Sequence, residues 1–297
     1  MVESKRPVDV FVDVLIHVVI VIACFLCLIP LLNTLALSFS SSVMASSGTV
    51  SFWPKQFTLA AYEAIVGEKQ FFGAFWISIK RVVLGGTINF LMMVLCAFPL
   101  AHSEKAFRGR NVYMYILIFT MLFSGGLVPT YLLARNLHLL NTRWALIIPG
   151  AMGVYQMIVT RTFLVANIPQ ELLEMSQIDG CNDFRFFWSF VLPLSKAVIA
   201  VTAMQYAVGH WNSWFSAFLY LSDDKKYPLQ MMLRRILVMN QIKASDYVDE
   251  ETLVAMEGMA DLLKYSLIVV ATVPILCAYP FIQKYFVKGI MIGSLKG

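Results

Sequence analysis

The chain has 297 residues, of which 59% are hydrophobic and 14% charged, and its mean hydropathy is +0.72. A soluble domain carries about 45–50% apolar and about 25% charged residues. A soluble globule of this composition would expose large apolar patches, and a disordered chain is poor in apolar residues, so both are excluded and the solvent is a lipid bilayer. The net charge of +5 comes from 23 basic and 18 acidic residues. These form no dense basic cluster of the kind a nucleic-acid reader needs.

A spanning helix needs about 20 mostly apolar residues. Six runs meet or approach that length: Val14–Leu32, Val82–Ala101, Val112–Ala134, Trp144–Thr160, Ala197–Leu221 and Tyr265–Gln283. None contains Asp, Glu, Lys or Arg, and the fourth is short. The first follows Lys5 and Arg6 but, at 19 residues, exceeds a signal-peptide core, so an uncleaved anchor is expected. Cys24 and Cys27 lie in that run between aliphatic flanks, where free cysteine behaves as a small hydrophobe. Lys105, Arg108, Arg110, Arg161, Arg185 and Lys196 fall in the short segments of one side, together with both termini. The positive-inside rule makes that side cytoplasmic.

Three of the segments outside the runs stand out. Ser38–Trp53 is Ser-rich and carries no sign of chemistry, and 222–264 is a long, polar external loop. The third, 167–193, is cytoplasmic and reads as a helix–turn–helix. Asn167 is a candidate cap, Pro169 suits an early helical position and Glu171 lies in the first turn. Ile168, Leu172, Met175 and Ile178 or Asp179 share a stripe, Gly180 fits a left-handed helix end, and Asn182 or Asp183 starts a second helix toward Leu192–Pro193. A knob too small for its own core makes sense docked into a groove on another protein.

Glu174-Met175-Ser176, three residues, Gly180, nine residues, Phe190, one residue, then Leu192-Pro193 matches the spacing of the E-A-A loop signature. By that spacing the chain resembles the permease subunits of bacterial ABC importers. Met175, Ser176 and Phe190 differ from the consensus residues. Pro169-x-Glu171-Leu172, Trp211-Asn212 and the ending Tyr285-Phe-Val-Lys-Gly289…Gly293-x-x-Lys296-Gly297 resemble the sugar-importing branch, nearest to importers of polysaccharide fragments such as alginate.

The resemblance implies an all-α membrane fold of the type I importer class: one permease domain over 1–297, with six transmembrane helices and a coupling-helix loop. It implies a bacterial inner-membrane location, a second homologous permease, two ATPase subunits that bind ATP and Mg, and an extracytoplasmic solute-binding protein. Glu171, Glu174, Met175, Ser176, Asp179, Gly180, Leu192 and Pro193 would form the ATPase-coupling knob. The external loop would face the binding protein and the tail would reach the ATPase interface.

Within the spans, Asn89, Gln156, Gln205, His210, Asn212 and Ser213 are polar and interleave with aromatics. Tyr155, Gln156, Tyr206, Trp211, Asn212 and Trp214 are the candidates for a sugar path, by stacking and hydrogen bonding. Interfacial anchoring and helix–helix contact are the competing reading of the same residues. The chain has no phosphate-cradling G-x-x-x-x-G-K-[S/T], H-E-x-x-H or G-x-S-x-G, so no enzyme site or cofactor is expected within it. A self-contained secondary transporter is the alternative; it needs intramembrane carboxylates or an ion site, which the six runs lack.

Overall fold

A computed structural model describes residues 7–245 and 250–294. The described chain is helical, with no strand among the described residues. In chain order the α-helices are α1 (Pro7–Ser38), α2 (Ser42–Ser46), α3 (Ala60–Gly67), α4 (Phe71–Ala101), α5 (Arg110–Leu122), α6 (Leu127–Asn136), α7 (Val154–Asn167), α8 (Gln170–Ile178), α9 (Asp183–Phe186), α10 (Leu192–Leu194), α11 (Lys196–Asn212), α12 (Phe215–Tyr220), α13 (Leu229–Ser245) and α14 (Glu250–Ser294). A π-helical turn, Phe187–Val191, joins α9 to α10, and two 3₁₀ turns, Arg143–Leu146 and Ile148–Gly150, precede α7.

The chain divides into two compact units, one of residues 1–69 with 233–273, the other of 70–232 with 274–297. In the first, α1 leaves its apolar side chains exposed from Val8 to Leu32, which is the low-energy state for a helix in hydrocarbon. Its last turn meets a small core of Ala36, Leu37, Ala45 and Val50. The Ser-rich segment is ordered by its hydroxyls. Ser41 caps α2, the Ser40 hydroxyl accepts from the Lys55 N–H at 3.0 Å, and the Tyr62 hydroxyl donates to Ser38 at 2.8 Å. These serines do the turn and cap work that suits their side chains.

In the second unit, α4, α7 and α11 pack together around Met93, Val94, Ala97, Met157, Leu164 and Tyr206. By length and composition, three helical stretches are able to cross a membrane: Val8–Ser38, Phe71–Ala101 and Met259–Pro280. The total is up to five if each of two bent helix pairs is one span.

The expected runs therefore survive unevenly. The first, second and sixth lie inside long helices. The third is broken between Leu122 and Leu127 with a bend of 112°. The fifth is broken at Ser213–Trp214, between α11 and α12. The fourth departs most: Trp144–Thr160 is not one helix, because Pro149, Gly150 and Gly153 interrupt it and α-helix begins at Val154. With 14 residues, α7 is about 21 Å long, short of a hydrocarbon core of about 30 Å. The segment 222–264, expected as a loop, instead holds α13 and the start of α14, while 246–249 lie outside the described residues. Pro228 is fully buried before α13, and the Leu229 N–H donates to Ser78 Oγ of α4 at 2.7 Å.

Candidate functional site

The knob is built from α8, a glycine turn and α9. Pro169 stands at the N-cap of α8 without a side-chain cap bond, and Glu171 lies in the first turn. Asn167 is not the cap: its amide Nδ2 donates to the Phe163 carbonyl at 2.9 Å, closing the end of α7 instead. At the other end Gly180 has φ +77°. The Cys181 N–H donates to Ser176 O at 2.9 Å and the Gly180 N–H to Gln177 O at 3.0 Å. This pair of bonds is a complete Schellman motif, which requires the left-handed residue that glycine supplies. Asn182, one of the two expected starts, caps α9 by accepting from the Arg185 N–H at 2.8 Å.

The knob stands on the second unit's core through Ile168, Leu172, Leu173, Phe186, Phe187, Val191 and Leu192. The inward stripe therefore differs from the expected one. Met175 and Ile178 point outward, 64% and 86% exposed. The reason is that α8 is amphipathic in both directions: Leu172 and Leu173 face the core, and Ser176 joins them, its hydroxyl donating to the Leu173 carbonyl at 2.7 Å. Ser176 and Leu192 thus support the knob from beneath. Glu171, Glu174, Met175, Ile178, Asp179, Gly180, Asp183 and Phe184 form its exposed face, and Pro193 is exposed beyond it. Four carboxylates against Arg185 make that face acidic around an apolar centre.

The second candidate region is an open cavity of about 450 Å³. Of the expected path residues it gathers Gln156 and Tyr206, along with Asn89, Gln205, His210 and Ser213. Tyr155 is exposed elsewhere on α7, Trp211 is buried edge-on against Phe75, and Trp214 packs against Phe215. These three and Asn212 are not among the lining residues.

The cavity also holds residues the sequence reading missed: Arg81, Ser216 and Tyr220. Arg81 is 6% exposed. Its Nη1 donates to the Ser213 carbonyl at 2.8 Å, and its Nη2 to Leu146 O at 3.3 Å, Ser213 Oγ at 3.1 Å and Ser216 Oγ at 3.0 Å. The run was expected to start at Val82, leaving the charge outside; α4 begins eleven residues earlier at Phe71 and carries Arg81 inward. The signal available was the Lys80-Arg81 pair directly abutting the run.

Three of the polar residues of the cavity share one task. Arg81, Asn89 and Tyr206 each secure backbone that is not α-helical. Arg81 reaches the carbonyl at the α11–α12 break and that of Leu146, and Asn89 Nδ2 donates to the Gly150 carbonyl. The Tyr206 hydroxyl accepts from the Gly153 N–H at 3.2 Å. His210 Nε2 donates in turn to Asn89 Oδ1. Irregular backbone at membrane depth is tolerated where protein groups satisfy it or where it lines a cavity, and here both hold.

No protein-family model matches the chain. Protein LplC of Bacillus subtilis is 40% identical over 270 residues, covering 91% of this chain and 90% of that protein. The polygalacturonan/rhamnogalacturonan transport system permease protein YtcP of the same organism is 37% identical over 285 residues, 96% and 98% of the two chains. Among solved structures, a bacterial ABC transporter involved in the import of the acidic polysaccharide alginate matches with a TM-score of 0.80 at 28% identity, over 95% of this chain and 99% of that one. A helical membrane chain with a glycine-closed helix–turn–helix knob, related at this level along nearly its whole length, belongs to the permease proteins of ABC sugar transport systems.

Proposed function

We propose that this chain is one permease half of an ATP-driven importer for an acidic oligosaccharide. It crosses the bacterial inner membrane six times with both termini inside. The observation that carries the proposal is the knob: Met175, Ile178 and Phe184 exposed at its centre, ringed by Glu171, Glu174, Asp179 and Asp183. An exposed apolar patch with an acidic rim fits a groove with an apolar floor and basic edges. We assign that groove to an ATPase subunit, which binds ATP and Mg and hydrolyses it; this chain supplies no nucleotide site. A second permease completes the pathway, with a second ATPase below it and a solute-binding protein at the outer face.

The substrate class rests on two supports. YtcP is named for polygalacturonan and rhamnogalacturonan, and the solved neighbour is described as importing alginate. The polar cavity independently presents a guanidinium with no carboxylate among its lining residues, so its field favours an anionic sugar. The test is purification of the tagged chain from its native membrane, then reconstitution with whatever accompanies it. An ATPase should co-purify, and uptake of a uronate oligosaccharide should require ATP and exceed uptake of a neutral one of equal length. Uptake that continues without ATP, and without an associated ATPase, would refute the proposal in favour of a self-contained carrier.

A further inference from the structure

A second cavity of about 510 Å³ lies along the N-terminal half of α4. Trp76, Lys80, Val83, Leu84 and Thr87 line it from α4. Those positions fall at i, i+4, i+7, i+8 and i+11, so they form one stripe of the helix. Leu146, Ile147 and Leu221 complete an apolar wall. Four cations also border the groove: Lys80, Arg81, Arg143 and Lys226. No Asp or Glu lines it. Arg81 and Lys226 have acceptors, the latter in Asn141 O at 2.9 Å and Asp223 at 3.7 Å. Lys80 and Arg143 are exposed and have no carboxylate partner among the described residues.

An exposed lysine on a spanning helix is costly unless its ammonium reaches an interface or an anion. Trp76, 58% exposed beside the groove, marks the headgroup level at which indole rings settle. An apolar wall and an unbalanced cationic rim at that depth are complementary to one kind of molecule abundant there, an amphiphile with an anionic head. We propose that this groove holds an anionic phospholipid, with acyl carbons against Val83, Leu84 and Ile147 and the phosphate between Lys80 and Arg143. The inference needs the chain to be in a membrane and is independent of what the chain transports.

The assembled importer, extracted in mild detergent and exchanged into mixtures of phosphatidylglycerol and phosphatidylethanolamine, is analysed for retained lipid by native mass spectrometry. The wild type should retain phosphatidylglycerol in preference, and K80Q/R143Q should lower that retention about fivefold or more, leaving phosphatidylethanolamine unchanged. Arg143→Gln alone, in a turn and outside the packed core, should give a partial loss even if the double variant fails to assemble. Equal retention of the two lipids by the wild type would overturn the proposal. So would unchanged retention in Arg143→Gln and K80Q/R143Q, or a cysteine at Val83 that cross-links efficiently to the second permease, since the groove would then be a subunit interface.

Discussion

Two adjacent glycines in α4 give the sharpest test of the polar network. A Cβ on Gly85 would lie 2.6 Å from His210 Nε2 and 2.7 Å from Cε1, whereas one on Gly86 meets nothing within 4 Å. Both sit in the same helix, so Gly→Ala brings the same propensity gain, about 0.5–1 kcal/mol. For Gly86→Ala nothing opposes that gain, and a slightly more stable protein is expected. For Gly85→Ala the imidazole must move. Overpacking costs about 1–3 kcal/mol, and displacing the ring from Asn89 leaves a buried amide short of a partner, about 1–3 kcal/mol more. Net of the helix gain, Gly85→Ala should lose about 1–5 kcal/mol while its neighbour gains. The assay is the thermal midpoint of the assembled importer, read by size exclusion after heating. His210→Ala in the Gly85→Ala background should recover part of the loss, because the clashing ring is gone. Equal midpoints for the two alanine variants, or additive effects of Gly85→Ala and His210→Ala, would refute the argument that the close approach of His210 to α4 matters.

The knob and the guanidinium give three further expectations. Gly180→Ala forces a Cβ into the left-handed region at φ +77°, with nothing nearby to clash; the cost is about 1–2 kcal/mol of backbone strain. Sugar uptake per ATP hydrolysed should fall at unchanged membrane abundance, with Gly180→Asn milder. Ile178→Glu, at a position 86% exposed, should leave folding intact and weaken ATPase co-purification by about tenfold or more, as loss of a central apolar contact does at other interfaces. Arg81→Lys keeps the charge but lacks the planar fork that reaches Ser213, Ser216 and Leu146 together; reduced thermal stability of the importer is expected, and Arg81→Met should reduce it further.

What could be read from the sequence depended on whether a signal was local. The Schellman turn at Gly180 and the cap at Asn182 were legible because both are made by neighbouring residues. The three long helices were legible because hydropathy alone defines them. The fourth run misled because hydropathy alone does not register Pro149, Gly150 and Gly153 as a break. They are a true interruption, made possible by Asn89, Arg81 and Tyr206, which lie about fifty or more residues away in sequence. Helix α13 escaped notice since Arg234, Arg235 and Gln230 dilute its hydropathy, although Leu229, Met232 and Leu233 are buried. On the knob, the helical stripe was the right kind of pattern with the wrong phase: Leu172 and Leu173 compete with Met175 and Ile178 for the inward face, and periodicity alone does not decide between them.

Arg81 changes the argument about energy supply more than any other residue. The sequence made the absence of charge within the runs the reason to reject an ion-coupled carrier. With a guanidinium 6% exposed inside α4, that reason no longer stands in its original form. The sign of the charge restores it. A cation-coupled carrier needs an anionic or carbonyl-rich site to hold its proton or metal ion. The cavity lining has no Asp or Glu, and Arg81 occupies the Ser213 and Leu146 carbonyls that a cation would seek. A guanidinium fixed there repels sodium and protons alike, while it attracts the carboxylates of an acidic sugar. The charge that weakens the compositional argument therefore makes the physical one stronger, and it agrees with the anionic cargo proposed above.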